Sequence, residues 1–204
     1  AGYYNQIIDA ISKYSDIDFS AYKPNTIYRR IERRIAIHKF TCIEDYMDHL
    51  LASPEEKGLL CSDLLIGVTS FFRDEAAFKS LGEHVLAPLL RKKKSVRIWS
   101  IACSTGEEAY SIAILLCEYM ERLNYNVDVK IFASDTDPDA IAVAQRGFYT
   151  EGSLASIDEH MIEKYFDKKE EGYIIKDMIR KMIVFARHNI FRDAPFSKLD
   201  LIVC

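Results

Sequence analysis

Residues 96–110 limit what this chain can fold into more than any other stretch. Val96-Arg97-Ile98-Trp99-Ser100-Ile101-Ala102 reads as a buried strand. It runs directly into Cys103-Ser104-Thr105-Gly106-Glu107-Glu108-Ala109-Tyr110, a tight turn with a glycine that opens a helix. The apolar positions Ala109, Ile112, Ala113, Leu116 and Met120 then keep helical spacing. A strand, a turn and a helix N-terminus in this order place a ligand site at the edge of a parallel sheet. Because the turn carries two carboxylates, phosphate is repelled and a neutral or cationic ligand is expected. S-adenosylmethionine (SAM), with its sulfonium and ammonium groups, fits that requirement. A nicotinamide dinucleotide does not, since its pyrophosphate loop needs more glycines than this turn supplies.

The pattern changes along the chain. Residues 1–90 read as helices: a stripe of Ile7, Ile8, Ile11 and Tyr14, then a helix over 25–39 with Ile27, Ile31 and Ile35 on one face. Thr41-x-x-Glu44 has the form of a capping box, and Ser53-Pro54-Glu55-Glu56 is a stronger helix start. Further helices are expected over 74–81 and 83–91. The basic run Arg91-Lys92-Lys93-Lys94 reads as a joint, so the expected domains are 1–90, all helical, and 91–204. In the second, strands 96–102 and 128–134 alternate with helices 107–122 and 138–146, the pattern of an α/β fold with a parallel sheet. Residues 150–188 interrupt it; Tyr173–Lys176 and Met182–Ala186 predict a small inserted β element. The last strand, Leu199–Cys204, has no helix after it, so the α/β domain is expected to be incomplete.

The bulk properties exclude several classes. A formal net charge of −4 argues against general nucleic-acid affinity. No apolar run is long enough to span a bilayer, and the chain opens on a polar amphipathic segment. Cys42, Cys61, Cys103, Cys117 and Cys204 have neither paired spacings nor zinc-ligand partners, as in a reduced, cytoplasmic protein. His38, His49, His84, His160 and His188 form no ligand spacing, so no metal is expected.

Several segments resemble one family. They are Thr69-Ser70-Phe71-Phe72-Arg73-Asp74, Trp99 through Ala113, Ala133-Ser134-Asp135-Thr136-Asp137, Asn189-Ile190-Phe191 and Asp200-Leu201-Ile202-Val203-Cys204. Their order and spacing are similar to those of the chemotaxis receptor methyltransferases, the CheR family, over essentially the whole chain. The resemblance implies a helical N-terminal domain joined to a Rossmann-like SAM-dependent methyltransferase domain with a small antiparallel β subdomain. It implies methyl transfer from SAM to glutamate side-chain carboxylates on a chemoreceptor's cytoplasmic helical bundle, with S-adenosylhomocysteine as product. The chain departs from better-known members at Gly67, where they carry asparagine. It also ends before an arginine, an asparagine and a tyrosine that they place beyond the final cysteine. A protein that binds SAM or docks on receptors without catalysing transfer is the alternative reading.

The candidate site residues combine chemistry with this resemblance. Asp135 ends a strand where a carboxylate can accept both ribose hydroxyls of an adenosine, while Asp137 is the better cap before Pro138. Glu107 and Glu108 lie in a first helical turn, where one carboxylate answers the dipole and a second suits the cofactor's cationic end; the resemblance favours Glu108 for the latter. Gly106 allows close backbone approach. Arg73 offers a bidentate grip on a carboxylate, and the resemblance makes it the expected catalytic residue. By resemblance alone, Arg73 also borders the cofactor, Thr69 contacts it, and Asn189 and Ile190 neighbour the adenine. Arg29, Arg30, Arg33 and Arg34 put like charges at i,i+4 twice, each pair costing about 0.2–0.5 kcal/mol, which predicts a docking surface for an acidic partner. The resemblance makes that partner the receptor bundle, and a monomer is expected. The turn around Lys168–Gly172 is charged and has one glycine, so no dependence on a receptor tether peptide is expected.

Overall fold

The computed structural model describes residues 2–15, 17–65 and 69–204. Two compact units divide at Ile66 and Gly67. The departure at Gly67 lies outside the described residues.

The first unit is helical: α1 (Gly2–Ser15), a 3₁₀ turn (Phe19–Ala21), α2 (Pro24–Ile37), α3 (Ile43–Ala52) and α4 (Pro54–Leu64). Ile7 and Ile11 of α1, Ile27 and Ile31 of α2, Tyr46 and Leu50 of α3 and Leu60 of α4 fill its core with Phe19. Ile8 and Ile35 border that core, while Tyr14 is exposed. Ser53 caps α4 as expected, its hydroxyl accepting the Glu56 N–H at 3.1 Å, with Pro54 in the first turn. The capping box at Thr41 does not form. Helix α3 starts at Ile43 behind Cys42, which makes no side-chain cap, so Thr41 is one residue too early.

The second unit begins with a helical segment, α5 (Glu75–Leu81), a π-helical stretch (Gly82–Leu86) and α6 (Ala87–Lys92). Pro88 cannot donate to the carbonyl four residues back, and the helix widens just before it, Ala87 N–H bonding to Gly82 O. Leu86, Ala87 and Leu90 sit in the core of this unit with Phe71. The boundary therefore falls at residue 66 rather than near 90. Helical character alone does not say which core receives a helix's apolar face.

A four-stranded parallel sheet forms the centre: β1 (Ser95–Ile101), β2 (Asp128–Asp135), β6 (Ile183–Arg187) and β7 (Leu201–Val203), in the order β6-β2-β1-β7. Helices α7 (Glu107–Leu123) and α8 (Pro138–Arg146) make the crossovers. Asp137 caps α8 and Gly147 ends it in the left-handed conformation, both as expected. Ala109, Ile112, Ala113 and Leu116 of α7 pack on Ile98, Ile131 and Ala133 of the strands.

A separate antiparallel sheet is built from β3 (Phe148–Tyr149), β4 (Phe166–Lys169) and β5 (Gly172–Ile175), ordered β3-β5-β4. Helix α9 (Glu159–Tyr165) precedes β4, and α10 (Asp177–Arg180) follows β5. The small sheet thus starts earlier than expected, at Phe148. Residues 183–187 leave it and pair with β2 instead. An alternating strand states which face is buried, not which sheet it joins.

Candidate functional site

The turn between β1 and α7 is held in an unusual backbone geometry. Ala102, Ser104 and Gly106 have φ of 56°, 48° and 99°. For the two that are not glycine, the left-handed conformation costs on the order of 1–3 kcal/mol and persists only where neighbours enforce it. The neighbours are visible. Cys103 N–H donates to Ser134 O at 3.0 Å, and Gly106 N–H to Cys103 O at 2.9 Å. Ser104 N–H donates to Asp135 Oδ2 at 2.8 Å. Asp135 Oδ1 accepts Asp137 N–H at 3.0 Å, and its carbonyl accepts His188 N–H at 2.9 Å. Asp135 therefore ties together the carboxyl ends of β1, β2 and β6, where ligands bind in open α/β sheets.

Gly106 has a packing role as well. A Cβ there would lie 2.9 Å from Ala144 Cβ and 3.2 Å from the Phe185 ring. Its missing side chain faces α8 and β6, so the glycine serves the closeness of turn and scaffold.

Both glutamates of the first helical turn are oriented by hydroxyls. Thr105 Oγ1 lies within 2.9 Å of both carboxylate oxygens of Glu107, which is buried. Ser100 Oγ donates to Glu108 Oε1 at 2.7 Å from a wholly buried position on β1. Tyr149 of the small sheet donates its hydroxyl to Thr105 O at 2.7 Å. Burial, and after it the Glu107 charge, push the Tyr149 phenol well above its ordinary value. The Cys103 thiol is raised by burial and then by Asp135, Glu108 and Glu107, which keeps it a neutral packing group.

The Thr69–Arg73 segment is fastened beside this turn. Phe72 N–H donates to Ser111 Oγ at 3.0 Å, and Ser111 Oγ donates to Glu107 O at 2.7 Å. Ser156 Oγ donates to Phe71 O at 2.8 Å. Phe71 is fully buried, edge-on to Tyr149 at 4.9 Å and to Phe166 at 5.6 Å. Thr69 is half-buried and Arg73 is exposed. Asn189 follows β6 by two residues; its Oδ1 accepts Phe191 N–H and its own N–H donates to Asp193 Oδ2. Ile190 is exposed.

The structure thus gathers Gly106, Glu107, Glu108, Asp135 and Asn189 at one end of the parallel sheet. It ties the segment of Thr69 and Arg73 to Ser111, one turn into α7. Ser100, Ser104, Thr105, Ser111 and Tyr149 orient them and were not singled out from sequence. One signal was available: a serine in the buried run Ile98-Trp99-Ser100-Ile101 needs a hydrogen-bond partner.

The predicted docking arginines separate. Arg29 and Arg33 are exposed and Arg30 is half-buried. Arg34 is a correction: it is buried, its Nε donating to Glu56 Oε1 at 2.8 Å and its Nη2 pairing with Glu56 Oε2. Position 34 faces α4 rather than solvent, so its charge is consumed inside the helical unit. Glu32, on the same helix, accepts the Tyr4 hydroxyl at 3.3 Å.

Residues 67–204 match the family described as "CheR methyltransferase, SAM binding domain", and residues 3–65 match "CheR methyltransferase, all-alpha domain". The chain belongs to the CheR methyltransferase family. It is 32% identical, over 94% of its length and 75% of the relative's, to a "Probable chemotaxis protein methyltransferase" of Rhizobium etli. It is 32% identical, over 96% of its length and 70% of the relative's, to "Chemotaxis protein methyltransferase 2" of Vibrio cholerae. It is 38% identical over 98% of its length to an uncharacterized 104.1 kDa protein of Rhodobacter capsulatus, of which it spans 21%.

The CheR SAM-binding domain takes S-adenosylmethionine as its cofactor, and the donor set here fits it. Carboxylates from Glu107, Glu108 and Asp135 surround the turn, and neutral donors meet them: the hydroxyls of Ser100 and Thr105 and the backbone N–H groups of Ser104 and Asp137. Three carboxylates held so close together favour a cation.

Proposed function

We propose that this chain methylates glutamate side-chain carboxylates on the cytoplasmic helical bundle of a chemoreceptor, using SAM. The observation that carries the reading is the convergence of Asp135 and the Ser104 turn at the sheet's carboxyl edge, with two consecutive glutamates directly after Gly106. Asp135 would hold the ribose hydroxyls with the lone pairs that the backbone leaves free. Glu108, fixed by Ser100, would meet the cofactor's cationic end, and Glu107 would shape the turn through Thr105. Thr69, Asn189 and Ile190 would border the cofactor. When bound, SAM supplies a methyl group on a sulfonium, a good leaving group.

The chain's own residues then have a modest task. The accepting glutamate has an ordinary pKa near 4.3 and is ionised at neutral pH, so no general base is needed. What is needed is alignment and exclusion of water. Arg73 would orient the incoming carboxylate through its guanidinium fork. Arg29, Arg30 and Arg33 of α2 would steer the acidic bundle. The protein acts in this reading as a cytoplasmic monomer; no helix among the described residues is long and apolar enough to cross a membrane.

Radiolabelled methyl transfer to a receptor cytoplasmic fragment by the natural full-length protein tests the reading. Base-labile methyl esters are expected, with S-adenosylhomocysteine binding in the micromolar range. Cofactor binding without transfer would make the protein a receptor-docking module, and no binding would remove the proposal altogether.

A further inference from the structure

A second cluster of functional side chains lies wholly inside the helical unit. His38 caps the C-terminus of α2, His49 lies in the last turn of α3, and Glu56 is in the first turn of α4. His38 Nε2 is 2.8 Å from Glu56 Oε2, and one ligand atom from each of the three residues lies within 4.8 Å of the others. The histidine rings are 4.8 Å apart, with the Phe40 ring 5.4 Å from His49. Tyr46 donates its hydroxyl to Glu56 Oε1 at 2.9 Å.

We propose that His38, His49 and Glu56 form a binding site for one divalent transition-metal ion. Two imidazoles and a carboxylate suit zinc, nickel or copper rather than magnesium or calcium. Around a tetrahedral ion with bonds near 2.1 Å, ligand atoms lie about 3.4 Å apart. Closing the site therefore takes a shift of roughly 1.5 Å in His49. That residue is suited to the movement: it is half-buried, and no side-chain hydrogen bond holds it among the described residues. The hydroxyl of Tyr46 would steady the liganding carboxylate from behind, the usual second-layer support of a metal ligand.

Arg34 is the obstacle, since its guanidinium occupies Glu56 and would repel an ion. The fold supplies an alternative acceptor. Asp63 Oδ2 lies 3.8 Å from Arg34 Nη1 and is buried without a hydrogen bond among the described residues. A buried carboxylate oxygen without a donor is a costly group, and accepting Arg34 would satisfy it. Metal entry thus passes Arg34 from Glu56 to Asp63, with no charge left unpaired.

The test is calorimetric titration of the full chain with Zn²⁺, in a Cys204→Ser background because that exposed thiol would compete. Co²⁺ absorption reports the ligand geometry. One equivalent is expected, with a Co²⁺ spectrum of low coordination number. His38→Gln and His49→Gln should each weaken binding at least about tenfold, and Asp63→Asn by about tenfold because Arg34 then stays on Glu56. His49→Gln removes no hydrogen bond and should melt like the parent. Absence of saturable binding, or His49→Gln binding as tightly as the parent, overturns the site. Unchanged affinity in Asp63→Asn overturns the arginine transfer.

Discussion

The side-chain carboxylate of Asp135 accepts the backbone N–H of Ser104 at 2.8 Å, joining the end of β2 to a residue held at φ 48°. Thirty-one positions separate them in sequence, yet this bond decides whether the turn after β1 keeps its shape. The other carboxylate oxygen accepts Asp137 N–H at the entrance to α8. One side chain therefore organises both loops that would surround an adenosine.

Asp135→Ala should abolish detectable SAM binding and cost about 1–3 kcal/mol of stability, since two buried-side donors lose their acceptor. Asp135→Asn keeps the shape but offers one acceptor oxygen instead of two, so it should lie between parent and alanine in both respects. Calorimetric titration with S-adenosylhomocysteine and thermal melts check this.

Gly106→Ala meets two penalties, a left-handed φ of 99° and an approach of 2.9 Å to Ala144 Cβ. The expected loss is about 2–4 kcal/mol. A melt showing no shift would mean that the turn relaxes freely.

Acid should weaken the helical unit through Glu56. Burial opposes its charge, but the hydrogen bonds from Arg34, His38 and Tyr46 outweigh burial and hold its carboxyl down at about 2, from an ordinary 4.5. A depressed value means stability present above pH 4.5 and lost as pH falls toward 2. The contribution is about 3 kcal/mol. Circular dichroism melts of Glu56→Gln, compared with the parent across that window, should show the parent's pH slope vanish.

Arg29→Glu with Arg33→Glu should reduce binding to a receptor bundle severalfold, more at low salt than at high, and leave cofactor affinity unchanged. Arg34→Glu should instead destabilise the helical unit, by roughly 3–5 kcal/mol, because it places a second acid beside Glu56. Melts and fluorescence anisotropy with a receptor fragment separate the two effects.

A short receptor tether peptide is expected to bind the small sheet weakly. The β4–β5 turn is Glu170-Glu171, between Lys169 and Gly172. Tight binding of the isolated peptide would refute this.

Much of the α/β part was readable because its signals are local. Asp137-Pro138, Gly147 and the apolar spacing of α7 each state a boundary within a residue or two. Asp135 and the Gly106 turn were readable as a pair, because consecutive parallel strands bring their carboxyl ends together. What remained hidden depends on contacts between distant elements. Arg34 cannot be told from Arg33 without knowing that Glu56 of α4 lies across from it. His38 and His49 follow no ligand spacing because they meet across two helices. The membership of 183–187 in the parallel sheet was hidden for the same reason.

The hydroxyl of Ser111 accepts a hydrogen bond from Phe72 N–H and donates one to Glu107 O. One small side chain is thus a shared hinge pin for the arginine-bearing segment and the acidic helix start. Neither half can be retuned for a new substrate alone; adaptation at position 111 has to carry both along.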